Sequence, residues 1–401
     1  MTSIPEREAK VHMNMFRRPP MTLVNGQGAR VEDSEGKTYV DCVAGIAVDA
    51  LGHGHPGLAE VIAEQAKSLI HVSNLYYTEP QINLAEMLVN ASGLDKMFFV
   101  NSGAEANEGA IKLARKWGIQ NRDGAYTILS TENSFHGRTM TTVAATGTPA
   151  YREPFGPPTP GFDFVAYNDF EALKEKVDAQ TAAILLEPIQ GEGGVNVPDD
   201  SYLQKVRELC DRENILLILD EVQTGCGRTG KMFAFEHYGI KPDIMTLAKG
   251  LGGGVPIGAV LANEKAAVFQ PGDHGSTFGG NVLACAASAF VVDQILNQGV
   301  LETANARSEY MDKKIAELED RSDLVIGQRG KGLLRAIILR DDIAADVVGK
   351  GISQGLLSNP VRPNAIRLMP PLTVTEEELD DAFGIIAVSY THLTLPTILL
   401  V

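Results

Sequence analysis

Asp220 and Lys249 stand about thirty residues apart, and each closes a short apolar run. Residues 215–219 lead into Asp220-Glu221-Val222-Gln223, and residues 244–248 lead into Lys249 and a glycine cluster. Short apolar runs bounded by polar residues and glycine read as buried strands of an α/β sheet. Open α/β sheets place their ligand sites beyond the carboxyl ends of such strands. A carboxylate and an amine converging there suit a pyridine aldehyde: the amine forms a Schiff base, and the carboxylate keeps the ring nitrogen protonated. Taken alone, the same two residues fit a surface salt bridge equally well, so the other motifs decide.

Asn101-Ser102-Gly103-Ala104-Glu105-Ala106-Asn107 follows an apolar run and opens a helical pattern. Small residues at such a junction expose backbone N–H groups and a hydroxyl at a positive helix end, which suits a phosphate or an ordinary helix cap. Ser276-Thr277-Phe278-Gly279-Gly280-Asn281 offers two more hydroxyls ahead of a helix. In Phe135-His136-Gly137-Arg138 the aromatic face can stack on a flat ring, and Arg138 can grip a carboxylate bidentately. Arg367 lies between Ile366 and Leu368, an apolar setting in which a guanidinium needs an anionic partner. Glu187 and Glu192 bracket a proline- and glycine-rich loop.

Two patterns mislead. Residues 225–232 fall one residue short of a phosphate-cradling P-loop and put Met232 where magnesium needs a hydroxyl. His53-Gly54-His55 has the spacing of metal ligands but no third ligand cluster nearby, so no metal is expected, and local hydrogen bonding before Pro56 accounts for both histidines.

The elements that position these residues come from periodicity. Helical spacing covers 58–70, 81–90, 104–116, 169–177, 202–211 and 281–297, while strand-like runs cover 97–100, 126–130, 164–166, 183–187, 215–220, 244–248 and 257–261. Their alternation implies a mainly parallel sheet with helices on both faces. Residues 1–30 read as irregular, 31–40 as a hairpin, and the region after 297 as mixed helices and short strands. The expected division is an N-terminal segment (1–60) joining the small domain, a large domain (61–290), a C-terminal small domain (291–387) and a tail (388–401). That tail contains Val-Ser-Tyr-Thr-His-Leu-Thr-Leu-Pro-Thr at 388–397, which reads like the translation of a sequencing adapter, and it is expected to be non-native.

Bulk composition narrows the classes. Apolar content of 44% and charged content of 21% in 401 residues describe a globular protein with a large core. A formal charge of −16 argues against nucleic acid or an anionic membrane as partner, so anionic ligands need local donors. Four scattered cysteines form no zinc or disulfide pattern, and a polar start with no long apolar run points to the cytoplasm.

Together and in order, these segments resemble the class III (ornithine-type) aminotransferases of the pyridoxal-phosphate fold type I superfamily. Residues 51–53 share in this match, and residues 43–48 and 74–81 resemble the acetylornithine branch. The resemblance spans about 15–387. It implies a large domain on a mainly parallel seven-stranded sheet, a smaller α+β domain, and a homodimer. It makes Lys249 the lysine that binds pyridoxal 5'-phosphate and shuttles a proton between Cα and C4′, with Asp220 on the pyridine nitrogen. Phe135 and Val222 would sandwich the ring and Gln223 touch its hydroxyl. Ser102, Gly103 and Ala104 would hold the phosphate, joined by Thr277 of a second subunit. Arg138 and Ser276 match substrate contacts, Arg367 an α-carboxylate site, and Glu192 a switch that lets one pocket alternate between side chains. The implied reaction moves an amino group between acetylornithine and 2-oxoglutarate, the alternative being another ω-amine. Val282 and Cys226 depart from the usual pattern outside that set.

Overall fold

The computed structural model describes residues 3–394. At the amino end, β1 (Leu23–Gln27), β2 (Arg30–Asp33) and β3 (Thr38–Asp41) form an antiparallel meander. Its turn is fixed by Asp33, whose Oδ1 accepts the N–H groups of Glu35 at 2.9 Å and Lys37 at 3.0 Å. The central sheet contains β4 (Lys96–Val100), β5 (Thr127–Thr131), β6 (Phe162–Val165), β7 (Thr181–Leu186), β8 (Leu216–Asp220), β9 (Ile244–Leu247) and β10 (Gly258–Ala262). They lie in the order β4-β10-β9-β8-β7-β5-β6, parallel except for β10, which runs antiparallel to both neighbours.

The carboxyl-terminal section contributes β11 (Val325–Lys331), β12 (Leu334–Leu339), β13 (Leu356–Leu357), β14 (Asn359–Arg362) and β15 (Ala365–Leu368). All but β13 form an antiparallel sheet in the order β11-β12-β15-β14, while β13 pairs in parallel with β3 of the first sheet. A backbone bond of 2.7 Å from Met369 N–H to the Cys42 carbonyl reinforces that join.

Strands β7 to β10 are buried along their whole length, so the sheet must be covered on both faces. Ile218 packs with Ala106, Ala110 and Trp117 of helix Gly103–Asn121. Leu217 and Leu219 point the other way, into a core shared with Leu203 and Val206 of helix Tyr202–Glu213. Each such side chain contributes roughly 2 kcal/mol on burial. A one-residue slip would turn the whole set over, so the pleat locks Asp220 at the strand tip.

Three expectations need correction. Within residues 3–30 the chain is irregular only in part: helix Ile4–Val11 begins at a capping box between Ser3 and Glu6, and β1 absorbs Asn25-Gly26, a pair that resembles a turn. The final helix does not stop near residue 387 but runs Glu376–Thr394, with Ser389 and Tyr390 buried; residues 395–401 of the proposed tail lie outside the described residues. His53 does not bond locally: its Nε2 pairs with Asp41 Oδ2 at 2.8 Å, whereas His55 caps the helix Pro56–Ser68 through Leu58 N–H. Among the described residues, no single helix is long and apolar enough to cross a membrane.

Candidate active site

The carboxyl ends of β7, β8 and β9 open onto a cavity of about 410 Å³. Asp220, the last residue of β8, is buried in its floor. Its Oδ2 accepts from Asn107 Nδ2 at 2.7 Å and lies 2.8 Å from His136 Nδ1, while Oδ1 accepts the Val222 N–H at 3.0 Å. Asn107 sits one turn into helix Gly103–Asn121, whose start the small residues at 102–104 allow to approach the sheet. Its amide also donates to the His136 carbonyl at 2.8 Å and accepts from Thr246 Oγ1 on β9 at 2.8 Å. The carboxylate is thus aimed by two side chains, themselves held in place.

Lys249 follows β9 with φ 45°, a left-handed backbone unusual for a residue with a Cβ and kept where the surrounding fold imposes it. Its amine lines the cavity and makes no hydrogen bond among the described residues. Burial pushes its ammonium below the usual lysine range, against the pull of Glu192. Beside Asp220, Glu187 accepts the N–H groups of Phe135 at 3.1 Å and Gly191 at 3.2 Å. Burial, eased by His136 and reinforced by Asp220, pushes the Glu187 carboxyl up to about 7.

At one end of the cavity Ser102 caps helix Gly103–Asn121 by accepting the Glu105 N–H, and Ser102, Gly103 and Ala104 all line the wall. A Cβ at Gly103 would stand 2.7 Å from Val222 Cγ1, so glycine is what lets the loop and Val222 meet. Phe135 also lines the cavity, edge-on to Tyr151. The Arg138 guanidinium, exposed at the mouth, lies 3.7 Å from the Tyr151 ring centre.

The opposite wall is ionic. Arg367, fully buried on β15, donates through Nη1 to Glu192 Oε1 at 2.7 Å and to Gln223 Oε1 at 3.3 Å, and through Nε to Asn359 Oδ1 at 3.3 Å. Its Nη2 is buried without a partner. Gln223 in turn donates to Glu192 Oε1 at 3.2 Å. Burial would raise the Glu192 carboxyl, yet Arg367, with help from Lys249 and Gln223, holds it below its ordinary value.

Most of the expected residues therefore converge: Ser102, Gly103, Ala104, Phe135, Arg138, Glu192, Asp220, Val222, Gln223 and Lys249 line one cavity, and Arg367 backs it. Ser276 and Thr277 do not. Ser276 lines a neighbouring cavity of about 620 Å³, touching the site only through Asn101 Nδ2 at 3.2 Å, and Thr277 is exposed outside both. Asn107, His136 and Thr246 join the site through contacts that sequence spacing does not indicate. Asn107 itself carries one local signal, an amide at i+4 from Gly103 on a helix face otherwise made of small residues.

An amine, an aimed carboxylate, a helix amino end and a buried guanidinium around one cavity are the equipment for amino-group chemistry on a phosphorylated ring. Residues 13–389 match the family model described as aminotransferase class-III. The chain belongs to this family. It is a pyridoxal-phosphate-dependent aminotransferase. The acetylornithine aminotransferase of Caldanaerobacter subterraneus subsp. tengcongensis is 52% identical over 380 residues, covering 94% of this chain and 97% of its own. Among solved structures, the ornithine aminotransferase of Toxoplasma gondii ME49 superposes with a TM-score of 0.92 at 36% identity, covering 96% of this chain and 94% of its own. The acetylornithine aminotransferase of Elizabethkingia anophelis gives 0.86 at 38%, covering 97% and 98%.

Proposed function

We propose that this aminotransferase moves an amino group between N2-acetylornithine and 2-oxoglutarate, giving N-acetylglutamate 5-semialdehyde and glutamate in a ping-pong cycle of arginine synthesis. The observation that carries the reading is the 2.7 Å pair of Glu192 with Arg367. In an ω-amine the reacting carbon bears no carboxylate, so Arg367 stays covered by Glu192. In glutamate that carbon bears one, which takes the place of Glu192 on the guanidinium and finds Nη2 unclaimed. Arg138 at the mouth would hold the far carboxylate in both cases. The acetylornithine relatives, about half identical over nearly the whole chain, support the substrate.

The residues present fit the cofactor. The Lys249 amine, which has no hydrogen-bond partner among the described residues, and a helix amino end with Ser102 in the same cavity accord with it. When bound, pyridoxal phosphate supplies the aldehyde that takes up the amino group and a ring that delocalises the electron pair left on carbon. In our reading Asp220 keeps a proton on the ring nitrogen, braced by Asn107 and His136. Val222, Phe135 and Gln223, which line the same cavity, would hold the ring. The Lys249 amine, whose proton burial loosens, carries the cofactor and then moves a proton to and from the reacting carbon. Ser102, Gly103 and Ala104 hold the phosphate.

We further read the chain as a cytoplasmic homodimer in which exposed Thr277 reaches the phosphate of a second copy, with Ser276 beside the substrate there. Exposed Tyr76, Tyr77 and Phe278 accord with such an interface. Residues 1–60 and 291–387 would form one smaller lobe against 61–290, in keeping with the β3–β13 pairing. Half-reaction rates with acetylornithine, ornithine and 4-aminobutyrate test the substrate. Acetylornithine is expected to react fastest; a preference for either of the others would replace it with that ω-amine.

A further inference from the structure

The turn that carries Glu192 is fastened from two sides. From within, Glu187 ties it to the segment of Phe135 by accepting the N–H groups of Phe135 and Gly191. From outside, Arg362 on β14 donates through Nε to the Gly193 carbonyl at 2.7 Å and through Nη2 to Asn133 Oδ1 at 2.9 Å. The two ties therefore join the same pair of segments. The stem of Arg362 packs directly on the turn, since a Cβ on Gly194 (φ 120°) would lie 3.0 Å from Arg362 Cγ. Asn196 closes the turn on itself, donating to the Gly193 carbonyl at 3.0 Å and to Gln190 Oε1 at 2.9 Å.

Arg362 and Arg367 come from adjacent strands, with Asn359 of β14 directly opposite Arg367. One arginine holds the carboxylate of Glu192 and the other the main-chain carbonyl of the next residue. We propose that Arg362 is a positioning residue that fixes the backbone beside Glu192, so that the side chain alone swings off Arg367 when a dicarboxylate arrives. This rests on the alternating reading of Glu192 and Arg367 given above. With the backbone held, Glu192 and the incoming carboxylate exchange places on a stationary guanidinium. With the backbone released, the turn follows Arg367, the pair persists, and the dicarboxylate competes against it at a disadvantage.

The test uses cofactor-loaded Arg362→Met and Arg362→Lys, with Glu192→Gln in parallel, and measures KM and kcat separately for acetylornithine and 2-oxoglutarate. Losing hydrogen bonds from a charged donor should raise KM for 2-oxoglutarate about tenfold in Arg362→Met, with KM for acetylornithine changed less than about twofold. Lysine replaces one of the two donors and should restore part of the loss. Amide exchange at Gly193 and Gly194 should speed up in step with KM. Equal changes for both substrates, or none, overturn the proposal; if the methionine variant does not fold, the lysine variant decides by the same ratio. Should Glu192→Gln leave the ratio of the two KM values unchanged, the alternating reading itself has failed, a result distinct from an inert Arg362.

Discussion

The two ends of the cavity are built on opposite plans. At the floor, Asp220 is gripped by Asn107, His136 and the Val222 N–H, and Asn107 is itself bonded on both its amide atoms. At the far wall, Arg367 keeps one short ion pair, two longer bonds and an unpartnered Nη2. A polar network that satisfies every member has one arrangement, whereas one that leaves a donor free accepts another. In the proposed reading the floor would serve a step common to both half-reactions, and the wall would tell one substrate from the other.

Breaking the floor should cost most. On the role proposed for Asp220, Asp220→Asn removes the charge that would hold the ring proton, and kcat is expected to fall on the order of a hundred- to a thousandfold in both half-reactions alike. Single-turnover rates check this; a loss confined to one half-reaction would merge floor and wall into one device.

Two carboxyls near the floor are buried: Glu187 lines the cavity, and Glu221, next to Asp220 in sequence, lies outside its lining. Burial pushes both Glu187 and Glu221 up to about 7 from an ordinary value of 4.5. Their folded values exceed the unfolded ones, so the folded chain binds more protons across that window. The stability they contribute is fully present below the unfolded value and is lost as pH rises through about 7, on the order of 3 kcal/mol per group. Melting temperatures of the cofactor-free protein between about pH 5 and pH 8 should therefore fall, and the fall should flatten in Glu187→Gln and Glu221→Gln. An unchanged slope in the double variant would contradict the assignment.

The wall should give the smallest but most selective effect. Glu192→Gln leaves Arg367 poorly covered, so KM for acetylornithine should rise about tenfold while that for 2-oxoglutarate stays level or drops. Steady-state kinetics with each substrate varied in turn read this directly, and equal shifts would mean that the wall does not discriminate.

The same contrast marks what the sequence disclosed. Buried strands announce themselves by continuous apolar runs, so the seven-stranded sheet and the tips bearing Asp220 and Lys249 were legible. The edge strands of the smaller sheets do not: β11 carries Gly327 and Gly330 and is only partly buried, and β1 contains an Asn-Gly pair. The Ser3–Glu6 capping box is a local signal that marks the first helix in the sequence itself. Left-handed residues such as Lys249 and the run Ala44–Ala47 carry no propensity mark, because residues with a Cβ keep that backbone only where the surrounding fold imposes it. The bracing of Asp220 by Asn107, 113 positions away, depends on a helix crossing a sheet, which periodicity alone does not align.

The claim on which the rest depends is that Lys249 and Asp220 address one cofactor from two strand ends. Borohydride reduction of the yellow protein, then peptide mapping by mass, tests it most directly. The account predicts a pyridoxyl group on the peptide containing Lys249 and none in Lys249→Ala. Label on Lys231, Lys241 or any other lysine of the wild-type protein would contradict it.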